Sequence, residues 1–200
     1  MNTLPVNTLP HEPLIRRVLG ANFFELALHR LAIEELDGGS SVKLEVLEGG
    51  QTVEVEAHGV GLVDALYAGL LERYAREYQS LKSIRMTGFL VAADIETKKV
   101  QAGVDAVARV TLDVANSEGR QFSFSDASRS VTASTARVVL NAVQYFVNAE
   151  RAFLTLHHAR RDALARGRED LVSRYTAEMV AVVESTSYAE VIANIRKELP

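Results

Sequence analysis

The sequence predicts an α+β fold in which two antiparallel sheet-and-helix units form a two-layer domain. Two runs of alternating apolar and polar residues surround the turn Gly49-Gly50, and this pattern is typical of a hairpin with one covered face. A second group of alternating segments follows farther along the chain, and an amphipathic helical pattern comes after each group. Strands grouped before a helix, twice over, favour two β-β-(β)-α units.

The N-terminal part is predicted to be a tail followed by a helix. Met1 to Glu12 contains two prolines and is typical of a loose tail, whereas Pro13 suits the first turn of a helix. Apolar residues then recur at roughly helical spacing as far as Leu36, and Asp37-Gly38-Gly39-Ser40 ends the segment. We therefore expect a helix from Pro13 to about Leu36.

A hairpin and a second helix are predicted next. Ser41 to Glu48 and Gln51 to Ala57 alternate on the two sides of a two-residue turn of the primed type. Apolar residues at four-residue intervals then indicate a helix from Leu62 to Gln79.

The second group of strands is predicted over Ser83 to Glu96, Val104 to Ala115 and Arg120 to Ser125. A long helix should follow from about Ser130 to Arg160.

The ends of the C-terminal helices are predicted from capping residues and glycine. We expect Asp126 or Ser128 to cap the long helix. Gly167 should break the helical pattern, and Ser187 should cap a terminal helix. The predicted organisation is a tail (1–12), an N-terminal helix (13–40), a central domain (41–149) and a C-terminal helical extension (150–200).

Composition excludes several classes of function. The net charge is -4 and the isoelectric point about 5.8, so the chain lacks the basic surface that nucleic-acid binding needs. No apolar run is long enough to cross a bilayer, and the N-terminus does not have the pattern of a signal peptide. We expect a cytoplasmic protein with neither nucleic-acid nor membrane partners.

Patterns of catalytic and metal-binding residues are missing from the sequence. There are no cysteines, and the histidines show no metal-ligand spacing. No Gly-x-Ser-x-Gly motif surrounds a serine. Asp64 occupies the third glycine position of a dinucleotide fingerprint, which argues against such a site. We therefore expect no catalytic residues, no metal and no cofactor.

The most informative stretch is Ala57 to Leu66, where a predicted strand meets a predicted helix at Gly59 and Gly61. The first turn of a helix presents unpaired N–H groups and a partial positive charge, so a small carboxylate could bind there. His58 borders this turn, although a plain surface role is the better interpretation of it. The glycines have a second interpretation of equal weight, in which they only permit a tight turn.

Four short motifs make residues 41–147 resemble the C-terminal allosteric and dimerisation domain of alpha-isopropylmalate synthase and citramalate synthase. Gly59 to Ala65 is similar to the family's glycine-containing helix start, and Gly103-Val104-Asp105-Ala106 to its strand entry. Val131 to Ala136 and then Asn141-Ala142-Val143 resemble the opening of its last helix.

The resemblance implies that two chains pair and that leucine or isoleucine binds near the dimer interface. The residues that it places around such an effector are Gly59, Val60, Gly61, Leu62 and Val63, with Asp105 and Ala106 opposite. Two departures bear on this site. Leu62 stands where the family has proline, and Lys98-Lys99 stands where the family tends to have small residues.

The catalytic part of the family is absent from these 200 residues. That part is a TIM barrel of some 250 residues with a His-x-His metal pair. We therefore expect a non-catalytic regulatory domain that binds an amino-acid effector, forms a homodimer and acts on a separate catalytic synthase subunit in branched-chain amino-acid biosynthesis. One alternative is a structural dimerisation module that has lost the effector site. Another is an enzyme whose chemistry the sequence does not reveal.

Overall fold

The protein is described by a computed structural model that covers residues 9–93 and 107–184. In chain order the elements are α1 (Glu12–Leu19), β1 (Leu26–Leu36), β2 (Gly39–Glu48), β3 (Gln51–Gly59), α2 (Leu62–Tyr74), β4 (Arg85–Ala93), β5 (Ala108–Ala115), β6 (Gln121–Ser128), α3 (Val131–Ala165) and α4 (Glu169–Val183). Short 3-10 turns follow α1 at Gly20–Asn22 and precede β4 at Gln79–Ser83.

The strands form two antiparallel three-stranded sheets, with strand orders β1-β2-β3 and β4-β5-β6. Each sheet is followed by a helix, so the chain contains a first unit (β1, β2, β3 and α2) and a second unit (β4, β5, β6 and α3). The predicted α+β class and its two units are confirmed.

The predicted helix from Pro13 to Leu36 is wrong in its second half. The helix ends at Leu19, where Gly20 takes a positive φ of 52°, and Leu26–Leu36 is a strand. A β-bulge between Leu28 and Arg30 interrupts the alternation of this strand. The inward-facing residues Leu28, Leu31 and Ile33 are therefore spaced by three and then two, which resembles a helical stripe.

The other elements lie close to their predicted positions. The hairpin around Gly49-Gly50 is confirmed, with Glu48 paired to Gln51. The second helix ends at Tyr74 rather than Gln79, and the break at Gly167 is present with φ of 67°. The terminal helix predicted after Ser187 lies outside the described residues, as do residues 1–8 of the predicted tail.

The predicted cap of the long helix is wrong. Asp126 and Ser128 both belong to β6, and the N-cap is Ser130, whose side chain accepts a hydrogen bond from the backbone N–H of Ala133. The strand continues past its predicted end at Ser125, and Asp126 takes part in a polar network described below.

The core centres on α3, which packs against β5 and β6 of its own unit and also against β1 of the first unit. Helix α2 covers β2 and β3. An aromatic cluster lies between β6 and α3, with Phe122 and Phe146 edge to face at 5.1 Å. Among the described helices, none is both long and apolar enough to cross a membrane.

Side-chain hydrogen bonds from α3 hold the entry of β1. The backbone N–H of Phe24 donates to Asn148 Oδ1 at 2.8 Å, and that of Leu26 donates to Gln144 Oε1 at 2.7 Å. Asn148 also donates to the carbonyl of Phe24. The central helix of the second unit therefore fixes where the first strand begins.

Candidate functional site

The junction between β3 and α2 contains the residues singled out from the sequence. Gly59 is the last residue of β3, and Gly61 is the N-cap of α2. Gly61 has an extended backbone with φ of -167° and offers no side-chain cap. The first N–H groups of α2 therefore receive no acceptor from the N-cap residue.

The two glycines have different roles. A Cβ atom on Gly59 would lie 2.4 Å from the backbone nitrogen of Ala65 and 2.8 Å from its Cα, so only glycine fits between β3 and the first turn of α2. A Cβ atom on Gly61 would meet nothing within 4 Å. The tight-turn interpretation therefore applies to Gly59, whereas the space beside Gly61 is open.

Asp64 adds an anionic group to this junction. Its Oδ2 atom accepts a hydrogen bond from the backbone N–H of Val60 at 3.1 Å, which satisfies one donor just before the helix. Asp64 lies in the exposed part of the first turn, so its carboxylate is accessible to a cation. The sequence analysis includes Asp64 in the glycine-containing helix start but does not predict this hydrogen bond.

The apolar residues of the junction divide between surface and core. Val60 is 85% exposed, whereas Leu62 and Val63 are partly buried and pack against the core. Asp105 and Ala106, the remaining predicted effector residues, lie outside the described residues. The structure thus brings five of the predicted residues to one strand-to-helix junction.

Residues 59–63 line none of three cavities found in the described part of the chain. Their volumes are about 440, 270 and 470 Å³. The first lies between α1, the free edge of β6 and α3, and Arg16, Arg109 and Asn141 are among its lining residues. Sequence reasoning missed this cavity because its residues come from several separate segments. The junction between β3 and α2 itself lies at the surface, where Val60 is exposed.

Charged residues cover the outer face of the first sheet beside the junction. Lys43 Nζ lies 2.6 Å from Glu54 and 2.9 Å from Glu56. The hydrogen bonds to Glu54 and then Glu56 raise the pKa of Lys43 above its ordinary value, and Lys43 in turn lowers the pKa of Glu56. His58 follows on the same strand, opposite Ser41. No group of three or more His, Asp or Glu side chains within the described ranges could hold a metal ion.

The corresponding junction of the second unit is closed by its own side chains. Ser130 Oγ accepts from the N–H of Ala133 at 3.2 Å. Asp126 Oδ2, on the helix side of β6, accepts from Ser134 Oγ at 2.6 Å and from Arg137 Nε at 2.9 Å. The polar groups around this helix start therefore have partners within the chain.

Two βββα units, one of them with an uncapped helix start, place the protein in the class of small two-unit α+β domains. Residues 12–147 match the family model of the LeuA allosteric (dimerisation) domain, which is about two thirds of the chain. The chain belongs to this family, and the resemblance inferred from the motifs is confirmed. The matched model describes the regulatory and dimerisation part of the synthase family and not its catalytic part.

The family match begins at Glu12 and ends at Val147. It therefore includes α1 and β1, which precede the motif-bearing residues, and ends within α3. The domain boundaries expected at residues 41 and 149 stay predictions. Comparison with curated proteins gives no significant match.

Proposed function

We propose that this chain is a non-catalytic regulatory domain that binds an amino-acid effector of the leucine or isoleucine type and forms a homodimer. The observation that carries the proposal is the uncapped start of α2 at Gly61, with the Asp64 carboxylate beside it. We further propose that the domain serves branched-chain amino-acid biosynthesis by regulating a separate catalytic synthase subunit.

The chemistry of the junction supports an amino acid over other small acids. The N–H groups of the first turn of α2 would take the effector carboxylate, helped by the positive end of the helix dipole. Only Oδ2 of Asp64 accepts the Val60 N–H, so the other carboxylate oxygen would pair with the α-ammonium group. The exposed Val60 side chain offers an apolar contact for an aliphatic side chain.

Thermal unfolding with and without candidate effectors tests this proposal. An effector at 100 times its dissociation constant stabilises the folded state by about 2.7 kcal/mol, which corresponds to a rise in Tm of several degrees. Leucine or isoleucine should produce this rise. The matching 2-keto acids, which have the carboxylate but no ammonium group, should produce a much smaller one.

A substitution at Gly61 separates specific binding from a general solvent effect. Gly61→Val adds a branched side chain in the open space where the effector carboxylate would sit, so the rise in Tm should disappear while the dimer remains. A full rise in this variant would place the effector elsewhere.

A structural dimerisation module without an effector site is the second candidate function. Two observations favour it, since residues 59–63 line none of the three cavities described above and Leu62 replaces the family proline. A dimer whose Tm responds to none of leucine, isoleucine, valine and the 2-keto acids would support this function instead.

The absence of catalysis, the absence of a cofactor and a cytoplasmic location all stay predictions. An acetyl-CoA condensation assay on the chain should give no product. Metal-dependent turnover in that assay would establish the third alternative, an enzyme.

A further inference from the structure

The free edges of the two sheets differ in how they are protected. An edge strand exposes unpaired backbone groups, and charged side chains or bulges usually keep it from pairing with another chain. The edge strand β1 has a bulge and His29, Arg30, Glu34 and Glu35, while β3 has Glu54 and Glu56. The edge strand β4 has no charged residue from Met86 to Ala92. This segment is an unprotected edge of the second sheet. The other edge strand, β6, buries its large apolar residues Phe122 and Phe124.

The same segment exposes apolar side chains on both faces. Phe89 and Val91 are 43% and 42% exposed, and Leu90 is 61% exposed. Phe89 and Val91 pair with the buried residues Leu112 and Val110, so they lie on the face that α3 covers farther along the sheet. No described helix packs extensively against β4, and these side chains do not join the core.

We propose that β4 is the homodimer interface and that it pairs in antiparallel fashion with β4 of a second copy, about a two-fold axis at Leu90. This inference rests on the dimerisation in the proposed function and assigns it to a surface. A two-fold interface uses the same patch on both copies. A single edge strand meets this requirement when it pairs in antiparallel fashion with the same strand of a second copy. The axis at Leu90 places Phe89 opposite the partner's Val91, an aromatic and β-branched pair of the kind that stabilises sheets.

The charges beside this edge are complementary under the same axis. Asp113 pairs with Gly88, and Arg109 pairs with Ala92. A Cβ atom on Gly88 would lie 3.0 Å from Asp113 Oδ2, so the carboxylate leans over Gly88 toward β4. Neither Asp113 nor Arg109 forms an ion pair with another described residue.

Pairing about Leu90 puts Gly88 opposite the partner's Ala92, so Asp113 and the partner's Arg109 occupy one row across the joined sheet. With neighbouring strands about 4.8 Å apart, their Cα atoms are about 14 Å apart, and only small side chains lie between them. In the single chain Arg109 borders the cavity beside β6, and its exposed side chain has to swing toward β4 to reach this row.

The size of the interface requires more than the strand itself. A stable dimer usually buries about 800 Å² per partner, which exceeds what a short strand edge supplies. Val107, just before β5, is 44% exposed and extends the apolar surface where β5 meets the end of β4. We therefore expect it to join the contact.

Light scattering coupled to size exclusion tests this surface with a matched pair of variants. Leu90 and Leu164 are both 61% exposed, but Leu164 lies near the end of α3, far along the chain from β4. Leu90→Lys should convert the dimer to a monomer at micromolar concentration, whereas Leu164→Lys should remain dimeric. Far-ultraviolet circular dichroism confirms that both variants are folded.

Disulfide trapping gives a second test that does not depend on how Leu90→Lys folds. The chain has no cysteine, so Leu90→Cys introduces a single thiol. Residues facing each other across an antiparallel pair have Cα atoms about 4.5–5.5 Å apart, within the range for a disulfide. Mild oxidation should cross-link Leu90→Cys rapidly and Leu164→Cys slowly or not at all.

The outcomes separate this inference from the proposed function. A wild-type chain that is dimeric, stays dimeric as Leu90→Lys and fails to cross-link through Leu90→Cys would overturn the β4 interface alone. A wild-type chain that is monomeric at all concentrations would overturn dimerisation and the interface together. The effect of leucine on Tm is measured independently of both.

Discussion

The two units of this domain reach their helices through junctions of the same length but opposite chemistry. In the first unit the strand ends at Gly59 and the helix N-cap is Gly61, with Val60 between them. In the second unit the strand ends at Ser128 and the N-cap is Ser130, with one residue between them. Each helix then begins at the next residue, Leu62 or Val131.

The difference lies in what satisfies the helix N-terminus. Ser130 supplies its own acceptor to Ala133, whereas Gly61 supplies none and the acidic Asp64 reaches back to Val60 instead. An N-terminus without a capping side chain has more to gain from an external carboxylate. One scaffold thus carries a closed junction and an open one, and the open one is the candidate effector site.

The largest effect is expected from Gly59→Ala, because the new Cβ atom would lie 2.4 Å from the backbone of Ala65. Overpacking of this kind costs about 1–3 kcal/mol, and contact with backbone favours the upper end. Urea denaturation measures the loss. Gly61→Ala is the control, since its surroundings are open and its backbone suits any residue. Equal losses in the two variants would contradict the separate roles of the glycines.

Asp126→Ala should have the next largest effect. It removes the acceptor of both Ser134 and Arg137 and leaves the buried Ser134 hydroxyl with one hydrogen-bond partner fewer. Hydrogen bonds to charged groups contribute about 1.5–3 kcal/mol, so a loss near 2 kcal/mol is expected in the same denaturation assay. Ser125→Ala, an exposed change on the same strand, should leave stability almost unchanged. A neutral Asp126→Ala would show that the network contributes little.

Ser130→Ala should cost about 1 kcal/mol, the usual value of an N-cap. Because Ser130 belongs to the closed junction, the change should not alter the rise in Tm produced by leucine. Comparing Tm with and without leucine checks both points. A lost leucine response would mean that the effector contacts the second junction.

Gly61→Ser should have the smallest effect on stability and the most specific effect on binding. It gives the first junction the capping residue of the second, which should stabilise the unliganded protein by a few tenths of a kcal/mol. The serine hydroxyl would then compete with the effector for the same N–H groups, so the rise in Tm with leucine should shrink. An undiminished rise would show that the helix N-terminus is not the carboxylate site.

Sequence patterns predict the hairpin and the helix starts well because these depend on local residues. The alternation around Gly49-Gly50 and the glycines before Leu62 need no tertiary contact to be recognised. The strand β1 was missed because one bulge at Leu28 makes its period look helical. The N-cap of α3 is harder to predict. Asp126 and Ser128 are both good capping residues, and Ser130 is the cap because β6 extends as far as Ser128.

The candidate site shows the same division between local and tertiary information. Its location follows from the glycines in the sequence, but the separate roles of Gly59 and Gly61 depend on how closely Ala65 approaches. The unprotected edge at Leu90 could have been noticed as an uncharged apolar segment. Its exposure, however, depends on α3 covering β5 and β6 and not β4.

The position of α3 also determines how the chain must fold. This helix belongs to the second unit, yet it packs against the first strand and binds the backbone of Phe24 and Leu26. A fragment ending before β4 would leave that strand uncovered, although it holds a complete three-stranded sheet and its helix. The two halves look like a duplicated module, but each depends on the other, and the chain should unfold in a single cooperative transition.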